Sequence, residues 1–261
     1  MNKIKERIFW VIPKSTFALL ERIRKGFQNH TRLRKLSNSP AKDLNIGHVN
    51  SLELLEIIKQ DIQNPVIFDI GAHIGTWSRL ALSIFPNVKI YAFEPIKSNF
   101  KKLTENLKHF SSCELFNIAV GAANHKSLIN VTNITDASSI LALEEYTINK
   151  YDLSISNNEE IEIFSLDWFI LQNNITRPNV LKLDIQGFEL EALKGASQII
   201  ETVEFIICEV SFISLYKEQA LFSDIVSFLN KNNFEVNAFG LETPLGTKLE
   251  QTDVLFKKMK K

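Results

Sequence analysis

From Val66 onward the chain alternates short, nearly continuous apolar runs with helical stretches, and that rhythm leaves few folds open. Val66–Ile70, Lys89–Phe93, Cys113–Val120, Val180–Ile185 and Phe205–Val210 read as strands. Helical patterns cover Thr76–Phe85, Ile96–Lys108, Phe188–Lys194 and Gln219–Lys231, with Pro86 and Gly195 as stop signals. A strand that feeds a helix and returns to a parallel strand builds a sheet covered on both faces. Phe234–Phe239 and Thr252–Phe256 have no helix between them, so they are expected to pair antiparallel at the sheet edge.

Two regions depart from this rhythm. Ala122–Leu166 holds two alternating runs, Ser127–Thr132 and Glu160–Phe164, around a polar stretch, and its length marks a functional insertion. The other is the head of the chain. Residues 1–35 carry ten basic residues against Glu6 and Glu21, a net of +8, although the whole chain is neutral. Residues 3–30 read as an amphipathic helical region broken at Pro13, and Asn50 with Glu53 resembles a capping arrangement for the next helix.

Overall neutrality points away from nucleic acid as a partner. Ile8–Pro13 is too short to cross a membrane, and Lys14 and Glu21 interrupt the residues after it. Cys113 and Cys208 sit in apolar strands without metal-ligand spacing, so they read as buried free thiols in a cytoplasmic protein, with no metal site. Ile8, Phe9, Trp10, Val11, Ile12, Phe17, Leu19 and Leu20 are interleaved with the basic residues. That suits peripheral contact with the inner membrane face; the competing reading is a helical lid with its apolar side on the domain.

The chemistry is expected where strands end. Phe68-Asp69-Ile70-Gly71-Ala72-His73-Ile74-Gly75 is a strand ending in an acid, then a glycine turn, then a helix opening near Thr76. Such a turn lets backbone approach a ligand beyond the carboxyl ends of the strands. The next strand ends Tyr91-Ala92-Phe93-Glu94-Pro95, placing Glu94 where a carboxylate can accept both hydroxyls of an adenosine ribose. Lys182 and Asp184 share a face of their strand, and a buried Lys needs a partner, for which Glu209 at the end of the next strand is available.

Taken together, FDIGAHIG, YAFEP, NIAVG and LKLDIQGFELEALKGA resemble the FkbM-type methyltransferase family over roughly residues 51–258. The resemblance implies a Rossmann-like class I methyltransferase fold. Its sheet would be mostly parallel, with about seven strands in order 3-2-1-4-5-7-6 and a reversed terminal strand. It also implies S-adenosylmethionine as cofactor and O-methylation of a hydroxyl on a sugar, glycan or related metabolite. By match, Asp69, Gly71, Ala72, Gly75 and Thr76 would serve the methionine side, Glu94 and Pro95 the ribose, and Asn117 and Ala119 the adenine. The chain divides into a basic helical extension, 1–50, and a methyltransferase domain, 51–261, carrying the insertion 122–166.

The family usually has Glu where this chain has Gln186. Asp184, also beside the cofactor, is the first candidate for a base that takes the acceptor proton; Glu209 is the second and His73 a third. A nicotinamide-dependent oxidoreductase is the alternative, opposed by the missing third glycine and the reversed strand. A catalytically silent binding protein of the same fold is another.

Overall fold

A computed structural model describes residues 14–44, 49, 51–240 and 249–259. The expected break at Pro13, the residues before it and Asn50 lie outside the described residues. Helices α1 (Lys14–Leu36) and α2 (Leu52–Asp61) precede β1 (Val66–Ile70), α3 (Thr76–Ile84), β2 (Lys89–Phe93), α4 (Lys97–Leu107) and β3 (Cys113–Phe116). Next comes β4 (Ala119–Val120), and then the inserted region with β5 (His125–Thr132), α5 (Glu145–Tyr151) and β6 (Ile155–Phe164). The chain then returns through α6 (Leu166–Asn173), β7 (Val180–Leu183), α7 (Glu189–Lys194), β8 (Phe205–Ser211), α8 (Phe222–Lys231), β9 (Phe234–Phe239) and β10 (Gln251–Lys258).

The main sheet has seven strands in the order β3-β2-β1-β7-β8-β10-β9. The first five run parallel, whereas β10 pairs antiparallel with both β8 and β9. Counting strands of this sheet alone, the order is 3-2-1-4-5-7-6, the class I methyltransferase arrangement. Both faces are covered, which is why the strands read as continuous apolar runs. Phe68, Tyr91, Leu181 and Ile206 enter one core; their neighbours Ile67, Ile90, Val180 and Phe205 enter the other.

Two local expectations are corrected. The expected strand Cys113–Val120 is broken at Asn117–Ile118, and Ala119–Val120 instead pairs with β6 in a separate sheet, β4-β6-β5. Lys182 does not pair with Glu209. It lies in register with Asp69, 3.4 Å away, while its register partner on β8 is Ile207, two residues short of Glu209. Gly195 stops α7 as expected, with φ −75°. A Cβ there would collide with the carbonyl oxygen of Gly121, and close backbone approach is what requires glycine.

Helix α1 is tethered at its far end, where Leu36 is buried and Arg32 and Lys35 pair with Glu53 and Glu56 of α2. Leu19, Leu20, Ile23 and Phe27 are 57%, 48%, 51% and 73% exposed. Those side chains do not pack on the domain as a lid would require.

Candidate active site

The glycine turn is tied to its neighbour strand by backbone bonds. Gly71 and Ala72 both donate to the carbonyl of Phe93, at 3.0 and 2.9 Å. Gly71 has φ +79°, and a Cβ on it would strike the carbonyl of Asp184 and the side chain of Ile185. The turn therefore passes within bare backbone distance of the end of β7. Asp69 beneath it is fully buried, accepts Ser78 Oγ at 2.6 Å and faces Lys182. It supports the turn from below rather than lining the cleft.

Glu94 is buried at the end of β2. Its Oε2 accepts the His73 backbone N–H and its Oε1 that of Ile96, each at 3.0 Å. Burial pushes its carboxyl above the ordinary value, opposed by the N–H groups of Ile96 and His73 and by the charge of His73. Oε1 also accepts the Asn99 amide at 3.4 Å, so Oε2 is the oxygen that keeps a lone pair for a further donor. Asn117 stands outside the cleft lining. Its amide donates to the carbonyls of Glu94 and Pro95 at 2.8 and 2.9 Å, fixing the loop that presents Glu94.

The carboxyl end of β7 gathers the polar groups. Lys182 donates to the Gly71 carbonyl at 3.0 Å and lies 3.6 Å from Asp184 Oδ2. Burial opposes its charge, yet Asp184, Asp69 and Asp253 hold its pKa above the usual lysine value. Gln186 Nε2 bonds Asp184 Oδ1 at 2.8 Å and Glu209 Oε2 at 2.9 Å. Gln251 donates to the other Glu209 oxygen at 2.9 Å. Burial, then the charges of Asp184, Asp253 and Glu189, push the Glu209 carboxyl well above the ordinary range. Glu189, which sequence reading passed over, accepts the N–H groups of Ile185 and Gly187, and burial raises its carboxyl to about 7.

The insertion forms the opposite wall. His73, at φ +49°, reaches from the glycine turn to Asp136 at 2.6 Å and Thr135 at 2.9 Å. On α5, Tyr146, Lys150 and Tyr151 converge on Glu250, whose carboxyl their bonds pull down to about 2. Glu250 stands just before β10, so the reversed strand brings it to the carboxyl edge of the sheet.

These walls enclose one cleft of about 940 Å³, large enough for a nucleoside cofactor together with part of an acceptor. Gly71, His73, Glu94, Pro95, Ala119, Asp184 and Glu209 line it. Asp69, Ala72, Gly75, Thr76 and Asn117 stand behind the lining, with Gly75 facing Leu103 and Leu107. Ile70, Phe93, Ile96, Ile118 and Phe188 supply apolar wall near Glu94. A buried carboxylate with an open acceptor site on Oε2 beside an apolar slot and a bare backbone turn fits an adenosine-bearing group. Sequence reading missed Gln186 as a bridge, and also Tyr216, Lys150 and Glu250, because their partners are distant in sequence.

Known proteins resemble this chain at two levels, sequence and fold. The family model for the methyltransferase FkbM domain matches residues 69–236. The hexuronic acid methyltransferase AglP of Haloferax volcanii is 26% identical over 154 residues, 59% of this chain and 59% of that protein. The 2-O-methyltransferase NoeI of Sinorhizobium fredii is 27% identical over 212 residues, 76% of this chain and 83% of that protein. This chain thus spans less than two thirds of the former. Among solved structures, magnesium protoporphyrin IX methyltransferase from Synechocystis PCC 6803 superposes with a TM-score of 0.48 at 12% identity, covering 91% of this chain and 96% of that chain.

Proposed function

This chain belongs to the FkbM methyltransferase family, and from that premise we propose that it is an S-adenosylmethionine-dependent O-methyltransferase acting on a sugar hydroxyl. The observation that carries the reading is a single cleft joining the Gly71–Glu94 pole to the Asp184–Glu209 carboxylates. The names of the two relatives support a saccharide acceptor. The division into a basic extension, 1–50, and a catalytic body from residue 51 with its insertion is part of the same reading.

In this assignment Glu94 holds the ribose hydroxyls, with Pro95 and Ala119 beside the nucleoside and Gly71 at the methionine side. Asp69, Ala72, Gly75, Thr76 and Asn117 act from behind by shaping the turn and loops. The cofactor supplies an electrophilic methyl group on a sulfonium. Asp184 accepts the proton of the acceptor hydroxyl, because a neutral alcohol is a poor nucleophile until that proton begins to leave. Cleft walls orient the hydroxyl, which is the larger part of the rate gain in such a reaction. Incubation with S-adenosylmethionine and a panel of simple methyl glycosides and uronosides, read by release of S-adenosylhomocysteine and mass gain of the sugar, tests it. Cofactor binding without turnover on any hydroxylated acceptor would favour the silent binding protein.

A further part of the proposal concerns location. Leu19, Leu20, Ile23 and Phe27 are exposed on a helix whose sequence also holds Arg22, Arg24 and Lys25, a combination suited to an anionic lipid surface. Among the described residues no helix is long and apolar enough to cross a membrane. Sedimentation with phosphatidylglycerol vesicles should carry down the full-length protein, and less so at high salt. Replacing those four apolar residues with Ser should abolish it; equal partitioning of both proteins removes the membrane from the picture.

A further inference from the structure

Gln186 is held at both ends of its side chain and at its backbone carbonyl. Both hydrogens of its Nε2 are directed at carboxylates, Asp184 Oδ1 at 2.8 Å and Glu209 Oε2 at 2.9 Å. Its Oε1 lies 2.8 Å from the Tyr216 hydroxyl, and its carbonyl accepts Ser139 Oγ at 2.7 Å. A flipped amide would set oxygen against two carboxylate oxygens, so the network fixes which end donates. The backbone adopts φ +54°, a left-handed conformation that a residue with a side chain occupies only when its surroundings impose it.

We propose that Gln186 is a positioning residue: its neutral amide clamps Asp184 to Glu209 through Asp184 Oδ1, while Lys182 faces Oδ2, so the carboxylate is held in one orientation at the cleft wall. The inference rests on the functional reading above, in which Asp184 receives the acceptor proton. An amide donates twice without carrying charge. A carboxyl at this position, as in the usual family pattern, donates once, and only while it is protonated. The charged and titratable groups facing the clamp are Lys182 and Asp69 from below, Glu189 from α7, Glu209 and Asp253 from the neighbouring strands, and Tyr216. Most are acidic, so a new carboxyl here would retain its proton into the neutral range and then lose it. The Gln therefore keeps the donor of the clamp independent of pH in this chain.

Gln186→Glu and Gln186→Met in the full-length protein test this against wild type. Each is measured for S-adenosylmethionine affinity by calorimetry, for kcat on an acceptor found in the glycoside panel, and for Tm. All three run between about pH 5.5 and 8.5, the window in which a raised carboxyl titrates. Gln186→Met, which has no donor, should lose kcat about tenfold or more at every pH while cofactor affinity stays within about twofold. Gln186→Glu should approach wild type at the acidic end and fall away as pH rises, an alkaline limb that wild type lacks. Its Tm deficit should widen in the same direction, because the native state holds a proton that the unfolded chain releases.

A purely structural role would lower Tm in both variants without creating that limb. A Gln186→Glu protein that parallels wild type across the range in both kcat and Tm overturns the clamp, as does Gln186→Met with wild-type kcat. If wild type transfers no methyl group, the functional reading fails, and the pH dependence of the Tm deficit still decides the clamp. If Gln186→Met does not fold, the Gln186→Glu profile decides alone.

Discussion

The stretch from β1 to β3 and the inserted stretch from β5 to β6 build facing walls of the same cleft by different means. The first wall is mostly backbone: Gly71 and Ala72 bond the Phe93 carbonyl, and Asn117 props the Glu94 loop from behind. Glu94 is the carboxylate it presents on the lining. The second wall is made of side-chain clasps between distant segments, His73 with Asp136, Ser139 with Gln186, and three α5 residues with Glu250. A backbone wall suits a ligand that is always the same, whereas a wall of side chains can change with the acceptor at little cost to the fold.

If that contrast is right, variants in the two walls should separate cofactor affinity from turnover and acceptor affinity. The largest effect is expected at the junction. Asp184→Asn keeps shape and removes the base, so kcat should fall about 10²- to 10³-fold with calorimetric cofactor affinity unchanged. A wild-type rate would make Asp184 structural and Glu209 the leading candidate. Next, Glu94→Ala should weaken S-adenosylmethionine binding about 100-fold, since two charge-assisted hydrogen bonds go. Unchanged affinity would put the nucleoside elsewhere and break the comparison.

On the other wall, Glu250→Gln should raise the acceptor KM about 3- to 10-fold and leave cofactor affinity alone, because α5 loses its charged clasp. A matching loss of cofactor affinity would show that the walls are not independent. The smallest effect should come from Glu189. Its carboxyl sits at about 7 in the fold against an ordinary value of 4.5, so the native state holds a proton across that interval that the unfolded chain gives up. Stability then falls as pH rises from the lower value to the upper one. Glu189→Gln keeps the acceptor oxygen and removes the titration. Its Tm should gain on wild type by a few degrees between about pH 5 and 8 in thermal melts, and a constant difference would place the titration elsewhere.

The two walls were also unequally legible in the sequence. The strands themselves, the glycine turn and the position of Glu94 at a strand end were readable because they rest on local rules: apolar runs, turn glycines and an acid closing a strand; the order of the strands came from the family resemblance. Helices α5 and α6 were not. In α5 the buried side chain is Thr147, while Tyr146, Ile148 and Tyr151 are exposed. In α6, Leu166, Phe169 and Ile170 are buried but Trp168 and Leu171 are also apolar, so no face stands out. The partner of Lys182 was misread because strand register, which puts Asp69 opposite it, is not written in local pattern. Asn117 reads as a neighbour of the nucleoside, yet its amide faces the loop that carries Glu94 and not the cleft.

Where the insertion begins, beside the end of α7, Gly195 abuts the carbonyl of Gly121 with no room for a methyl group. For anyone wishing to transplant a foreign acceptor lobe onto this scaffold, that contact is the mounting point. The donor segment must arrive with a bare residue at the Gly121 seam and leave Gly195 untouched. Beyond that seam, a replacement must also meet His73 and the Gln186 carbonyl, which Asp136, Thr135 and Ser139 now bond, and cover the apolar surface of Ile96 and Phe188.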